Sequence, residues 1–340
     1  MAKSKNEKIL LAHGGGGQLS DELIRQTILA GLGEERPDGL EDSAKINLSS
    51  KSICFTTDSY VVKPLFFNGG DIGKLAVCGT INDLAVTGAR PIALSLSLII
   101  ETGLEFVILE KIIDSIAKTA RENNVHIVTG DTKTVDVGQA DKIFINTTGI
   151  GVKLKGANLG FNKIRAGDKI ILSGTIGDHG ITILSEREGI KFQTKLKSDC
   201  AALAGLTCEI LHKTRGVKFM RDPTRGGLAA TLNEICRQTG LGIKIEQSKI
   251  PVNPTVQAAA DMLGLDVLDI ANEGKIIAIV SPDCAKNVLQ ICKKHPLGKK
   301  ASIIGQIAET ADTPVVEMET AIGGRRIVQM PYGSQLPRIC

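Results

Sequence analysis

A chain of 340 residues, 42% hydrophobic and 23% charged, has the composition of a folded protein and a length that favours two domains over one. A net charge of +4 without a basic cluster, and 3% aromatics with no tryptophan, exclude nucleic acid as an expected partner. The longest strongly apolar run, Ala93 to Ile100, is far short of the roughly 18–20 residues of a membrane span, and Met1 to Ala12 lacks the apolar core of a leader, so the cytoplasm is the expected compartment.

Four glycines, Gly14, Gly15, Gly16 and Gly17, precede a helix expected from Ser20 to about Gly31, with Ser20 as its N-cap. Hydrophobic periodicity then predicts a strand over Ile53–Thr57, a helix over Asp71–Thr87, a strand over Pro91–Ile100 and a helix over Leu104–Asn123. Strands over Val125–Thr129 and Lys142–Val152 close this α/β unit, residues 1–155. Lys153 to Gly167, rich in Gly, Asn and Lys, reads as the boundary. In the second unit, 156–330, strands are expected over Lys169–Ser173, Ile243–Glu246, Lys275–Ser281, Ala301–Ile307 and Pro314–Met318. Helices are expected there over Gly180–Glu188, Ser198–Lys213, Gly226–Gly240, Pro254–Leu263 and Pro282–Lys294. Residues 331–340, with Pro331 and Pro337 and no period, read as a mobile tail.

The eight cysteines form no CxxC pair, which removes support for zinc knuckles and disulfide frameworks. Seven have apolar neighbours and read as small core hydrophobes, whereas Cys340 is the last residue, where no core is expected around it.

The chemistry concentrates in a few motifs. The glycine run can turn several N–H groups onto one anion, although it is neither a Walker loop nor GxGxxG, and a bland flexible loop remains the alternative. Asp42, Asp58, Asp83 and Asp131 could converge on a Mg²⁺ that keeps phosphate oxygens among its ligands, though each alone also reads as a cap or turn residue. Asp83 differs because it lies inside an apolar helix pattern, where an unpaired carboxylate is costly. Met220-Arg221-Asp222-Pro223-Thr224-Arg225-Gly226-Gly227 brings two arginines to a helix N-terminus, an arrangement suited to phosphate or to a capped turn. His179, in Gly177-Asp-His-Gly, reads as a hydrogen-bonded turn residue, and Glu273 stands just before a strand in Ala271-Asn-Glu-Gly-Lys.

Taken in order, Asp58-Ser-Tyr-Val-Val-Lys-Pro, Gly79-Thr-Ile-Asn-Asp-Leu-Ala, Gly130-Asp-Thr-Lys, Gly177-Asp-His-Gly, Arg221-Asp-Pro-Thr-Arg-Gly-Gly-Leu, Ala271-Asn-Glu-Gly-Lys and Pro337-Arg-Ile-Cys carry a resemblance over nearly the whole chain. The sequence resembles the hydrogenase-maturation carbamoyl dehydratases of the aminoimidazole ribonucleotide synthetase (PurM-like) superfamily. Glu41 precedes Asp42 where relatives often carry two aspartates. The resemblance implies a two-domain α/β PurM-like fold, a homodimer paired through the amino-terminal domains, and a nucleotide near the domain junction.

It also implies an ATP- and Mg²⁺-dependent dehydration of a carbamoyl group on Cys340 to a thiocyanate. The carbamoyl group comes from the carbamoyltransferase HypF, and the cyanide passes to iron on a HypC–HypD scaffold. Nucleotide contacts fall to Gly14–Gly17, Asp58, Asp83, Asp131, Thr132, Arg221 and Asp222, and metal contacts to Asp42, Asp58, Asp83 and Asp131. Glu273 and Lys133 are the candidates for deprotonating the carbamoyl nitrogen, with Lys133 better suited as a phosphate clamp. The tail must travel: extended, Met330 to Cys340 can span roughly 35 Å. The alternatives are a small-molecule synthetase or kinase of the same superfamily and a non-enzymatic thiol carrier.

Overall fold

Alternation along Ile53–Tyr60 (β1) turns Cys54, Thr56, Asp58 and Tyr60 inward and leaves Ile53, Phe55, Thr57 and Ser59 exposed on the other face. The computed structural model containing this strand describes residues 8–14, 18–33, 52–189, 196–309, 313–331, 336 and 338–340. Helical turns run from Gln18 to Leu32 as α1 (Gln18–Leu23), a π-helical segment and α2 (Ala30–Leu32), ended by Gly33 at φ +73°. After β1 come β2 (Phe66–Phe67), β3 (Gly70–Asp71), α3 (Ile72–Val86), β4 (Ala89–Glu101), α4 (Phe106–Glu122), β5 (His126–Val135) and β6 (Ile143–Lys153). Four of these strands form one sheet in the order β1-β6-β4-β5.

Helices α3 and α4 cover one face of that sheet, where Leu75, Ile81, Leu98, Leu109, Ile112 and Ile145 are buried. Each such side chain contributes roughly 1.5–3 kcal/mol on leaving water. Asp71 caps α3, its Oδ1 accepting from the N–H groups of Gly73 (2.8 Å) and Lys74 (3.0 Å). Among the described residues the opposite face is exposed, with Phe55 at 67% exposure near Ile53, and Ile99 further along it.

From Lys169 onward every strand joins a second sheet. Its elements are β7 (Lys169–Leu172), α5 (Asp178–Glu188), α6 (Ala204–Lys213), β8 (Val217–Arg221), α7 (Gly227–Thr239), β9 (Gly242–Glu246) and α8 (Pro254–Leu263). They continue with β10 (Ile277–Val280), α9 (Pro282–Lys294), β11 (Ser302–Ala308), β12 (Val316–Glu319) and β13 (Arg325–Val328). The order is β13-β12-β9-β11-β7-β10-β8, antiparallel except between β9 and β12. Leu228, Leu232 and Ile235 of α7 pack with one face, and Ile210 of α6 and Val288 of α9 pack with residues of the other. Among the described residues no helix is long and apolar enough to cross a membrane.

Besides the two-residue strands β2 and β3, β8 and β13 arise where periodicity predicted none, and α6 starts at Ala204 instead of Ser198. The segment before α6 is held extended because its polar groups are used elsewhere: Ser198 bonds His179, Ala201 N–H donates to the Glu273 carbonyl, and Leu203 N–H donates to Asn82 Oδ1.

The end of the chain also departs from expectation. Ile339 is 6% exposed and joins the core of the first half, and Cys340 packs against it half-buried. The N–H groups of Val61 and Lys63 donate to the carbonyls of Cys340 (3.1 Å) and Arg338 (3.2 Å), so residues 338–340, with Arg338 in a left-handed turn (φ +55°), are tied to the body where no core was expected.

Candidate active site

The inward face of β1 and the buried helix α3 supply one wall of a cleft of about 300 Å³. Asp58 and Asp83 face it, with Asp83 accepting from Thr56 Oγ1 (2.7 Å) and Asp58 from the hydroxyl of buried Tyr60 (3.3 Å). Burial and the neighbouring Asp83 carboxylate push Asp58 up to about 6. Gly79 is needed here, since a Cβ on α3 at that point would run into the Tyr60 hydroxyl.

The second half supplies the other wall through Asp222, Thr224, Arg225 and Glu273. Gly226 (φ +73°) and Gly227 (φ +59°) let the chain turn from Arg225 into α7 in a left-handed conformation that side chains resist. Burial, then Asp83, pushes Asp222 up to about 7. Burial together with Asp222 and Asp199 raises Glu273 well above the carboxylate range, and its Oε1 is buried with no hydrogen-bond partner among the described residues.

Polar side chains fix this wall in place. Asn272 accepts from Gly177 N–H (2.8 Å) and donates to the carbonyls of Pro223 (2.9 Å) and Ile270 (3.0 Å). Asn82, next to Asp83, donates to the carbonyls of Ala201 (3.1 Å) and Glu273 (3.3 Å). Asp199 accepts the N–H groups of Glu273 and Gly274 and pairs with Lys275 Nζ at 2.9 Å. Burial opposes its charge, but the Lys275 ammonium and the backbone N–H bonds outweigh that and hold Asp199 below its ordinary value.

Cys340 completes the lining. Burial and the Glu273 carboxylate, against the opposing charge of Arg225, push its thiol up to about 12. In this position the sulfur is a neutral thiol beside a set of carboxylates.

The chain matches the AIR synthase related protein family, with the N-terminal domain over residues 40–153 and the C-terminal domain over residues 165–316. It is 48% identical over 337 residues to carbamoyl dehydratase HypE of Bradyrhizobium diazoefficiens, covering 99% of this chain and 97% of that one. The chain belongs to the HypE family of carbamoyl dehydratases. A crystal structure of HypE in complex with ATP superposes with TM-score 0.93 at 43% identity, covering 97% and 99% of the two chains. The structure of a HypE–HypF complex gives TM-score 0.80 at 47% identity, covering 84% and 92%. The fold is the two-domain, mixed α/β PurM-like one of this family.

Within this HypE-family chain, Asp58, Asp83, Asp222, Glu273 and Cys340 share the cleft. Arg221 does not line it and pairs with Glu234 at 2.9 Å, while Arg225 faces in. Asp131 and Lys133 lie on β5, 3.5 Å apart and with side chains 61% and 65% exposed. Register aligns Asp131 with Ser97, Asn146 and Ser59 across the open face of the first sheet. Thr132 borders a separate apolar hollow of about 180 Å³ beside Ile24 and Ile28. Gly14 ends a 3₁₀ turn, and Gly15, Gly16, Gly17 and Asp42 lie outside the described residues. Motif reading does not single out Tyr60, Asn82, Asn272 or the Asp199–Lys275 pair. For the two asparagines the available signal is adjacency, in Asn82-Asp83 and Asn272-Glu273.

Proposed function

We propose that this chain catalyses the ATP-dependent dehydration of an S-carbamoyl group on Cys340 to an S-cyanate (thiocyanate), the source of the cyanide ligand on the iron of [NiFe]-hydrogenase. The observation that carries this reading is the seat of Cys340 in the cleft of Asp58, Asp83, Asp222, Arg225 and Glu273. A small-molecule synthetase or kinase has no use for a thiol-bearing tail there, and a passive carrier has no use for the carboxylates.

The balance of the reaction assigns the parts. The carbamoyl oxygen departs with the γ-phosphoryl group of ATP as phosphate, and two protons leave nitrogen as the C≡N bond closes. Arg225 and the start of α7 offer positive charge for phosphate, with the glycine run Gly14–Gly17 as a further nucleotide contact. Among the described residues no group of three His, Cys, Asp or Glu side chains is arranged to hold a metal unaided. Mg²⁺ needs only one or two carboxylates when phosphate oxygens and water complete its shell; burial first, and then repulsion from Asp83, raises Asp58 and Asp222, and such a cation relieves the repulsion. Asp58 and Asp83, the neighbouring pair, would hold it, with Asp222, Asp42 and Asp131 as outer candidates. When bound, the ion neutralises charge on the phosphate oxygens.

Glu273 is the base in this reading: its buried Oε1, without a hydrogen-bond partner among the described residues, borders the cleft that holds Cys340 and, once ionised, takes a proton from the carbamoyl nitrogen. Lys133 acts as a phosphate clamp supplied by a second copy. A homodimer covering the open face with Ile53, Phe55 and Ile99 would bring the partner's β5 towards Thr57 and Ser59 at the rim of the cleft. In this reading the chain divides into 1–155, 156–330 and a tail, 331–340, a division that the two separate sheets support. HypF as carbamoyl donor, a HypC–HypD complex as cyanide acceptor, and a cytoplasmic location complete the proposal.

Phosphate release from ATP by the carbamoylated chain tests it. Release matched one for one by S-cyanate, and abolished by Cys340→Ala, is the expected result; ATP turnover unaffected by that substitution contradicts it. Light scattering giving a 36.0 kDa monomer at micromolar concentration contradicts the homodimer.

A further inference from the structure

The groups that hold the tail are distinct from the carboxylates of the cleft, and most of them read main chain. Arg187 of α5 donates from Nη2 to the carbonyls of Arg338 (2.8 Å) and Lys63 (3.1 Å). Buried His179, also of α5, bonds the Ile339 carbonyl through Nε2 at 2.6 Å. The N–H groups of Val61 and Lys63 complete the set, donating to the carbonyls of Cys340 and Arg338 while Arg338 itself turns at φ +55°. One arginine side chain adds to these contacts. Arg338 donates from Nε to the Val61 carbonyl (3.0 Å) and from Nη1 to Asp141 Oδ2 (2.8 Å), with its guanidinium 5.9 Å from the ring centre of Phe144. Lys63 also pairs with Asp141, and these two cations hold the Asp141 carboxyl below its ordinary value.

We infer that this groove is a peptide-binding site in its own right. It takes an Arg-Ile-Cys segment from a separate peptide as well as from the chain's own tail and presents that cysteine to the cleft, with Arg187, His179 and Asp141 as positioning residues. Each contact named runs from the body to residues 338–340, so the covalent link contributes local concentration and not recognition. A tethered segment competes at an effective concentration on the order of millimolar, so a free peptide enters readily only where the chain's own tail is weakened. The binding claim stands alone; the presentation claim rests on the dehydratase reading.

The test uses the full chain carrying Arg338→Ala and Cys340→Ala, and a fluorescent peptide with the sequence of residues 331–340, followed by anisotropy. Saturable binding is expected, at least roughly tenfold tighter than to the wild-type chain. Adding Arg187→Ala or Asp141→Asn to the body, or replacing arginine by alanine in the peptide, should each weaken it roughly tenfold. A body with Asp141→Arg paired with a peptide carrying glutamate for arginine should recover part of the loss, which a merely structural role for Asp141 would not produce. No saturable binding, or binding indifferent to Arg187 and Asp141, overturns the groove.

A second arm adds ATP and S-carbamoyl peptide and follows loss of the elements of water from the peptide. Dehydration supports presentation in trans. A bound peptide left intact while the wild-type chain dehydrates its own tail overturns presentation. Binding with no dehydration of either substrate leaves the groove standing and counts against the dehydratase reading.

Discussion

The carbonyl oxygen of Ile339 lies 2.6 Å from Nε2 of His179, and Nδ1 of the same ring lies 2.8 Å from the Ser198 hydroxyl. A carbonyl can only accept, so Nε2 carries the proton and Ser198 donates to Nδ1. Burial holds the imidazole below its ordinary value and favours this neutral form. Deleting the ring in His179→Ala leaves a buried carbonyl without its donor, a cost of roughly 1–3 kcal/mol to tail docking. Cys340, protected as a neutral thiol when docked, should then be alkylated about 5- to 100-fold faster, as read by mass spectrometry of the modified peptide. An unchanged rate contradicts the role of His179 in docking.

The same ring gives a pH dependence. A histidine whose folded pKa is depressed contributes stability above its unfolded value, near 6.5, and loses it as pH falls through the folded pKa. Tail protection against alkylation, corrected for the thiolate fraction of a free cysteine peptide, should decline below about pH 6.5 in the wild type and stay flat in His179→Ala.

Asp222 has the opposite sign. Its folded pKa, about 7, lies above the ordinary 3.8, so its contribution is complete below about 3.8 and is lost as pH rises through 7. The shift sets an upper bound of roughly 4 kcal/mol. Asp222→Asn should therefore stabilise the nucleotide-free protein by about 1–3 kcal/mol at pH 8 and hardly at all at pH 4, while losing ATP-dependent dehydration. Thermal melts at the two pH values check this, and equal effects at both contradict it.

Glu273→Gln should separate phosphoryl transfer from dehydration. Glutamine keeps the shape of the side chain but cannot take a proton from nitrogen, so S-cyanate formation should fall by about 10²–10⁴-fold while ATP still binds. Rapid-quench phosphate release beside mass detection distinguishes the steps. Near wild-type S-cyanate formation would return the base role to Lys133 or to water.

Asn272 joins the helix start at Gly177, the loop at Pro223 and its own segment at Ile270, so Asn272→Ala strands the Gly177 N–H and the Ile270 carbonyl, while the Pro223 carbonyl keeps the backbone N–H of residue 272. A loss of about 2–4 kcal/mol is expected in denaturant melts. A change below about 0.5 kcal/mol would show that water replaces the side chain.

Much of the fold was legible because its elements are periodic or capped: α8 and α9 each begin at a proline, and their bounds match expectation. Asp83 stood out as a carboxylate in an apolar helix, and that helix forms a wall of the cleft. What was not legible depends on partners distant in sequence. The extended path before α6 is drawn out by Glu273 and Asn82. Of two arginines four residues apart, pairing with Glu234 takes Arg221 away and leaves Arg225 facing the cleft. Composition marked residues 331–340 as a tail, but the docking of Arg338 to Cys340 depends on Asp141, His179 and Arg187, none adjacent in sequence. Lys133 stands exposed on its strand beside Asp131, apart from the residues that line the cleft.

The most direct test of the central claim is the intact mass of the chain after incubation with the carbamoyltransferase and carbamoyl phosphate, with and without ATP hydrolysis at the second step, followed by peptide mapping. Cys340 should gain a carbamoyl group and, with ATP, lose the elements of water to become S-cyanate. A modification mapped to Cys54 or Cys208, or dehydration that proceeds equally without ATP, would contradict the account.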